Sequence, residues 1–224
     1  MTHHLSPAKG TAVGDAEKIA ESGLVAIVRL DDLSAAVKVT EALLRGGVRS
    51  VEFTFTNPTA GRVIEEVRGA LGERASIGAG SVLDPETART AILAGAEFVV
   101  TPVVNTAVIE LCNRYAVPTV IGAYTPTEML TAWQAGASYV KVFPASVGGP
   151  RYLKDVRGPL PQLKLIPTGG VDLDNAAEFI RAGAAAIAVG SNLVDAKTVG
   201  AGRWEVLEER ARAFAEAVQG ARQP

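Results

Sequence analysis

Apolar residues along the chain fall into short runs that alternate with longer amphipathic stretches, and the two periods predict a repeating order of strand then helix. After Gly23 the pattern predicts strands from Leu24 to Arg29, Ser50 to Thr54, Ser76 to Gly80, Glu97 to Val100, Pro118 to Ile121, Tyr139 to Val142, Leu163 to Ile166 and Ala186 to Val189. Helices are predicted from Ser34, after Pro58, from Pro85, from Asn105, after Pro126, near Tyr152, from Asp172, and from Arg203 to Val218. A short helix from Asp15 to Ser22 leads into this series. Residues 1–13 carry no periodicity and read as a loose arm, which leaves 14–224 as the folded domain.

One device recurs where a helix gives way to a strand: Gly46-Gly47-Val48, Ala94-Gly95-Ala96, Ala135-Gly136-Ala137 and Ala182-Gly183-Ala184. Glycine suits the residue just past a helix end, where the backbone turns left-handed. The four copies come at near-regular intervals, ahead of alternate strands, and so divide the chain into quarters of two strand–helix units each. Eight units of this kind predict a single (β/α)8 TIM barrel with a short N-terminal helix, with an open doubly wound sheet as the lesser option.

Composition agrees with buried parallel strands, since 48% of residues are hydrophobic and only 5% aromatic. The net charge is -2, and no basic block tracks a phosphate backbone, so nucleic acid is not an expected partner. No apolar run approaches a membrane span, and the first twelve residues lack the apolar centre of a secretory signal; the chain reads as cytoplasmic. Cys112, the only cysteine, fits the apolar face of a helix with Val108, Ile109 and Ala116.

The candidate chemistry centres on Ser138-Tyr139-Val140-Lys141-Val142-Phe143-Pro144-Ala145, an apolar strand with one lysine set into it. Successive strand side chains alternate between faces, so Lys141 and Phe143 share one. An ammonium there loses hydration, which lowers its pKa and leaves more free amine to attack a ketone; alternatively the side chain snorkels out at the strand's end. In Val51-Glu52-Phe53-Thr54-Phe55-Thr56 the polar set Glu52, Thr54 and Thr56 shares a face, which we assign to the barrel interior. Glu52 is either a proton-transfer group or a structural partner of Arg29 or Lys141, and Arg29 could hold a substrate anion. Pro167-Thr168-Gly169-Gly170-Val171 and Gly190-Ser191-Asn192 follow strands seven and eight, where small residues let backbone N–H groups reach a phosphate.

Glu52-Phe53-Thr54, Gly78-Ala79-Gly80-Ser81-Val82-Leu83, Lys141-Val142-Phe143-Pro144-Ala145, and Gly158-Pro159 leading to Pro167-Thr168-Gly169-Gly170-Val171 together resemble the 2-keto-3-deoxy-6-phosphogluconate / 4-hydroxy-2-oxoglutarate aldolases, from about Gly23 to Val218. The resemblance implies a class I lyase on a (β/α)8 barrel, with Lys141 as the Schiff-base lysine and Glu52 as the general acid/base. It implies substrate contacts at Arg29, Thr56, Ser81, Pro102, Phe143 and Thr168, and phosphate contacts at Gly169, Gly170, Gly190 and Ser191. It also implies a small-molecule 2-keto acid substrate, no metal or organic cofactor, and a homotrimer. His3 and His4 offer no metal-ligand set with the catalytic strand.

Where well-known members carry an arginine four residues after the glutamate, this chain has Thr56, which offers one neutral hydrogen bond in place of a bidentate ion pair. The substrate is therefore either 2-keto-3-deoxy-6-phosphogluconate with Arg29 taking the carboxylate, or another acid. Candidates are 4-hydroxy-2-oxoglutarate and the galactonate epimer; relatives acting on that epimer also lack the arginine. Val103 replaces a usual glycine and is expected to crowd the pocket. Two other readings remain at this point: a phosphate-binding barrel isomerase or synthase in which Lys141 supplies only charge, and a non-catalytic barrel that binds a sugar phosphate.

Overall fold

The computed structural model describes residues 18–223. The arm over 1–13, with His3 and His4, and the first part of the leading helix lie outside the described residues. The described part of that helix, α1, covers 18–22. Strands follow at Leu24–Val28 (β1), Ser50–Thr54 (β2), Ser76–Gly80 (β3), Phe98–Val100 (β4), Thr119–Ala123 (β5), Tyr139–Val142 (β6), Leu165–Pro167 (β7) and Ile187–Val189 (β8). The helices between and after them are Ala36–Arg45 (α2), Ala60–Leu71 (α3), Pro85–Leu93 (α4), Thr106–Arg114 (α5), Pro126–Gln134 (α6), Gly149–Arg157 (α7), Ala176–Arg181 (α8), Ala196–Gly200 (α9) and Trp204–Arg222 (α10).

All strand pairs are parallel, in the order β7-β6-β5-β4-β3-β2-β1-β8. A parallel bridge from Thr168 to Ala188 and a 2.9 Å bond from Ala185 N–H to the Leu165 carbonyl join β7 to β8, so the sheet closes on itself. The expected (β/α)8 barrel is what forms. Closure leaves no strand edge open to another chain.

Strand alternation divides the core in two. Outward-facing residues such as Val51, Phe53, Ile77, Val99, Ile121 and Val140 pack with the helices, while Val25, Ile27, Phe98, Val100, Tyr139 and Ile166 fill the barrel interior. Glu52 and Lys141 sit at interior positions of β2 and β6, one level above Ser50 and Tyr139.

The four predicted glycine devices are one structure repeated. Gly47, Gly95, Gly136 and Gly183 all have φ of 93° to 95°. At each, the glycine N–H and the next N–H reach back to the last turn of the helix: Gly95 to Ile92 and Ala96 to Ala91, Gly183 to Ile180 and Ala184 to Phe179. This double bond closes the orphan carbonyls and turns the chain back toward the next strand.

Some boundaries differ from the sequence pattern, for local reasons. The helix expected from Asp172 starts at Ala176, because Asp172 Oδ1 accepts the N–H groups of Asp174 and Asn175 in a turn of its own. The short α9 was not anticipated; Asp195 caps it through Thr198 and pairs with Arg210 at 2.6 Å. Ala116 lies beyond the end of α5, exposed and at φ 55°, so it is not on the apolar face with Cys112, Val108 and Ile109, which are fully buried. Burial pushes the Cys112 thiol up to about 12.

Candidate active site

Lys141 is 4% exposed and Glu52 1% exposed, both inside the barrel near the C-terminal ends of their strands. The lysine does not snorkel out. Burial drives its pKa down; the neighbouring Glu52 carboxyl opposes that shift and the charge of Arg29 adds to it. Burial drives the Glu52 pKa up, against the attraction of Lys141 and Arg29. The two groups form no direct ion pair among the described residues, and Oε1 of Glu52 is buried without a hydrogen-bond partner. Both shifts favour a neutral amine beside a neutral carboxylic acid, the pairing that offers a nucleophile and a proton donor together.

Glycines flank this pair on the neighbouring strands. Gly78 lies opposite Glu52 across β2 and β3, and Gly122 lies opposite Lys141 across β5 and β6. A Cβ on Gly80 would come 2.6 Å from Glu52 Oε1. A Cβ on Gly122 would strike the backbone of Pro102 at 2.2 Å, so the loop after β4 folds inward over β5 beside the lysine. Thr101 fixes that loop, accepting the Gly122 N–H at 3.1 Å and donating to the Val103 carbonyl at 2.6 Å. Val103 itself is 54% exposed and does not crowd the interior, contrary to the expectation from sequence.

Beyond Phe143, whose ring centroid is 5.2 Å from the lysine Nζ, opens a cavity of about 210 Å³. Arg29, Thr168, Gly169, Gly170, Gly190 and Ser191 line it, so the structure brings together the predicted loops after β7 and β8. The carbonyls of four consecutive residues there are already taken. Thr168 O accepts from Ala145 N–H, Gly169 O from Ser146 N–H, Gly170 O from Asn175 Nδ2, and Val171 O from Asn192 Nδ2, at 2.8 to 2.9 Å. With the carbonyls turned away, the N–H groups of Gly169 and Gly170 have no protein acceptor among the described residues, an arrangement suited to an anion. Both glycines have positive φ, 83° and 78°, and a Cβ on Gly170 would meet Ser146 at 2.5 Å.

Arg29 is exposed and pairs with neither Glu52 nor any other carboxylate among the described residues. Its side chain also borders a second opening of about 440 Å³, with Thr56 and Asn57. Thr56 is exposed, and its hydroxyl lies 2.8 Å from that of buried Thr54. Ser81 caps β3 half-buried at φ 56°, a left-handed conformation rare for serine, and Pro102 is half-buried at the rim. Neither Ser81 nor Pro102 lines the anion cavity.

Three asparagines hold the site and were not singled out from sequence. Asn175 and Asn192 pin the loop after β7, and Asn57 donates to the carbonyls of Leu30 and Asp31 at 3.0 and 2.9 Å while accepting from Thr59. Asn57 thereby ties the loop after β1, which carries Arg29, to the loop after β2. Only its place after Phe55-Thr56 and before a proline marked it in the sequence, and that is a turn signal.

A closed eight-strand barrel with a buried lysine and glutamate inside its mouth has the layout of a (β/α)8-barrel enzyme. The family profile described as "Aldolase: KDPG and KHG aldolase" matches residues 16–209, and the chain belongs to that family of lyases. It is 35% identical to the 2-dehydro-3-deoxy-phosphogluconate aldolase of Treponema pallidum, over 80% of this chain and 85% of that one. It is 34% identical to the 2-dehydro-3-deoxy-6-phosphogalactonate aldolase of Escherichia coli, over 88% and 96%. Among solved structures, a KDPG aldolase from Legionella pneumophila, with pyruvate captured as a covalent carbinolamine intermediate, superposes with a TM-score of 0.83 at 27% identity, over 89% and 97%.

Proposed function

We propose that this chain cleaves a 2-keto-3-deoxy-6-phospho sugar acid, such as 2-keto-3-deoxy-6-phosphogluconate, to pyruvate and glyceraldehyde 3-phosphate through a Schiff base at Lys141, with no metal or organic cofactor. The observation that carries this reading is the pair of buried, mutually sensed groups, an amine pushed toward neutrality and a carboxyl pushed toward its acid form, inside one barrel mouth.

Lys141 attacks the C2 ketone, and the Glu52 acid protonates the resulting alkoxide and then, once recharged, the departing hydroxyl. In the iminium that forms, the Glu52 carboxylate takes the C4 hydroxyl proton, the C3–C4 bond breaks, and its electron pair moves to C3 and onto the iminium nitrogen. The enamine recovers a proton at C3 from Glu52, and hydrolysis releases pyruvate. The N–H groups of Gly169 and Gly170, with Ser191, Gly190 and Arg29, hold the phosphate. Ser81, Pro102, Thr168 and Phe143 shape the keto-acid end.

Thr56 favours a second substrate. An exposed hydroxyl already bonded to Thr54 gives the sugar-acid end a neutral contact, and the relative named for 2-dehydro-3-deoxy-6-phosphogalactonate matches this chain about as well as those named for the gluconate acid. A lactate-dehydrogenase-coupled assay across the gluconate and galactonate epimers and 4-hydroxy-2-oxoglutarate tests the reading. Pyruvate release from a phosphorylated epimer supports it, and release from none of the three overturns it.

We also place the enzyme in the cytoplasm as a homotrimer. In support of self-association, a protein cage designed by fusing symmetric oligomeric domains contains a chain 34% identical to this one, with a TM-score of 0.83. Light scattering of the purified protein measures the state.

A further inference from the structure

Resting on the proposed phosphate site, we infer that Asn175 is a positioning residue for it: its side chain aims the Val171 N–H into the cavity as a third donor beside those of Gly169 and Gly170. Val171 lines the cavity and Asn175 does not. The Val171 N–H has no protein acceptor among the described residues. Its direction follows from the peptide unit it shares with the Gly170 carbonyl. That unit is trans, so the two groups point opposite ways. Asn175 Nδ2 holds the carbonyl at 2.9 Å, on the side away from the cavity, and the N–H is left facing in. The Thr168 and Gly169 carbonyls are turned in the same manner by the Ala145 and Ser146 N–H groups, but those donors are backbone; at the third peptide unit a side chain takes over.

Helix capping does not account for this asparagine. It stands immediately before α8, yet its side chain makes no capping bond to the first turn of that helix. It reaches backwards instead: Oδ1 accepts the Asp172 N–H at 3.1 Å while Nδ2 donates to the Gly170 carbonyl. A backbone N–H can only donate and a carbonyl can only accept, so the two neighbours fix which end of the amide faces which. The Asp172 half of this bracket is a turn, and any short acceptor satisfies it. The Gly170 half needs a donor of this reach. A phosphate gains a charge-assisted bond from each N–H aimed at it, whereas a substrate without phosphate gains nothing there. Asn175 thereby favours phosphorylated over unphosphorylated 2-keto acids.

The test compares inorganic phosphate, titrated calorimetrically, with pyruvate, trapped by borohydride on Lys141, in the full chain. Asn175→Ser keeps a short acceptor for the Asp172 N–H but falls short of the Gly170 carbonyl, and Asn175→Ala removes both bonds. Both variants are expected to bind phosphate about tenfold more weakly, the scale of one hydrogen bond to a charged group, with pyruvate trapping unchanged. Full phosphate affinity in Asn175→Ser overturns the inference and leaves Asn175 a turn former. Phosphate affinity and trapping that fall together in Asn175→Ser overturn it as well, since that marks a general loss of structure. If the unaltered protein traps pyruvate but binds no phosphate, the phosphate reading of the cavity fails and the inference with it. If it binds phosphate but traps no pyruvate, the Schiff-base reading fails, and the phosphate affinities of the two variants still decide the inference.

Discussion

Gly80 presents a bare Cα to the carboxyl of Glu52, and the missing methyl is what lets the acid lie against β3. A Cβ at this position would stand 2.6 Å from Oε1 and 2.9 Å from the carboxyl carbon. Gly80→Ala is therefore expected to push the acid out of line with Lys141 and to lower kcat by about 10²-fold, since small displacements of a reacting group are costly. Stability should fall by only about 1–3 kcal/mol, the usual range for a methyl forced into a packed interior. Steady-state kinetics with urea unfolding separates the two effects.

The buried pair makes two opposed contributions to the pH dependence of stability. The Glu52 pKa is raised in the folded state, so its favourable contribution is complete below the ordinary 4.5 and is lost as pH rises through the raised value. At neutral pH Glu52→Gln should be more stable than the unaltered protein, and the advantage should vanish as pH falls below 4.5. Lys141 has the opposite sign: its pKa is lowered, so stability is recovered as pH climbs toward 10.5. Lys141→Met should gain at neutral pH and lose that gain near 10.5. Melting temperatures across pH for both variants check the signs, and both variants should be inactive.

Arg29 borders both openings of the barrel mouth and has no carboxylate partner among the described residues. Arg29→Gln should raise KM for a phosphorylated substrate by about tenfold to a hundredfold, the scale of one charge-assisted contact, and change KM for 4-hydroxy-2-oxoglutarate much less. Comparing the two substrates in one assay reads the difference. Equal changes would place Arg29 at the carboxylate.

Asn57 joins two loops that are far apart in sequence. Asn57→Ala removes donors to the Leu30 and Asp31 carbonyls and the acceptor for Thr59, and should cost about 2 kcal/mol in urea unfolding. Because Arg29 rides on the freed loop, KM should also rise.

The barrel was legible because its signals are local and repeated. Strand alternation put Glu52 and Lys141 on interior faces, and the glycine devices at Gly47, Gly95, Gly136 and Gly183 counted out the quarters. The glycine loops after β7 and β8 were likewise readable. What could not be read depends on contacts that exist only after the barrel closes. Asn192 reaches Val171, and Asn57 reaches Leu30, across neighbouring loops. The inward fold of Pro102 over Gly122, which carries Val103 outward, comes from packing between β4 and β5. The positive φ of Ser81 leaves no mark in a serine. The Asp172 turn delays its helix by using side-chain bonds that compete with the helical pattern.

The most direct measurement of the central claim is mass analysis of the peptide that contains Lys141 after incubation with pyruvate and borohydride. A reduced three-carbon acid attached to that lysine, and absent from Lys141→Arg, is the predicted result. An enzyme that releases pyruvate from its substrate while this peptide stays unmodified would contradict it.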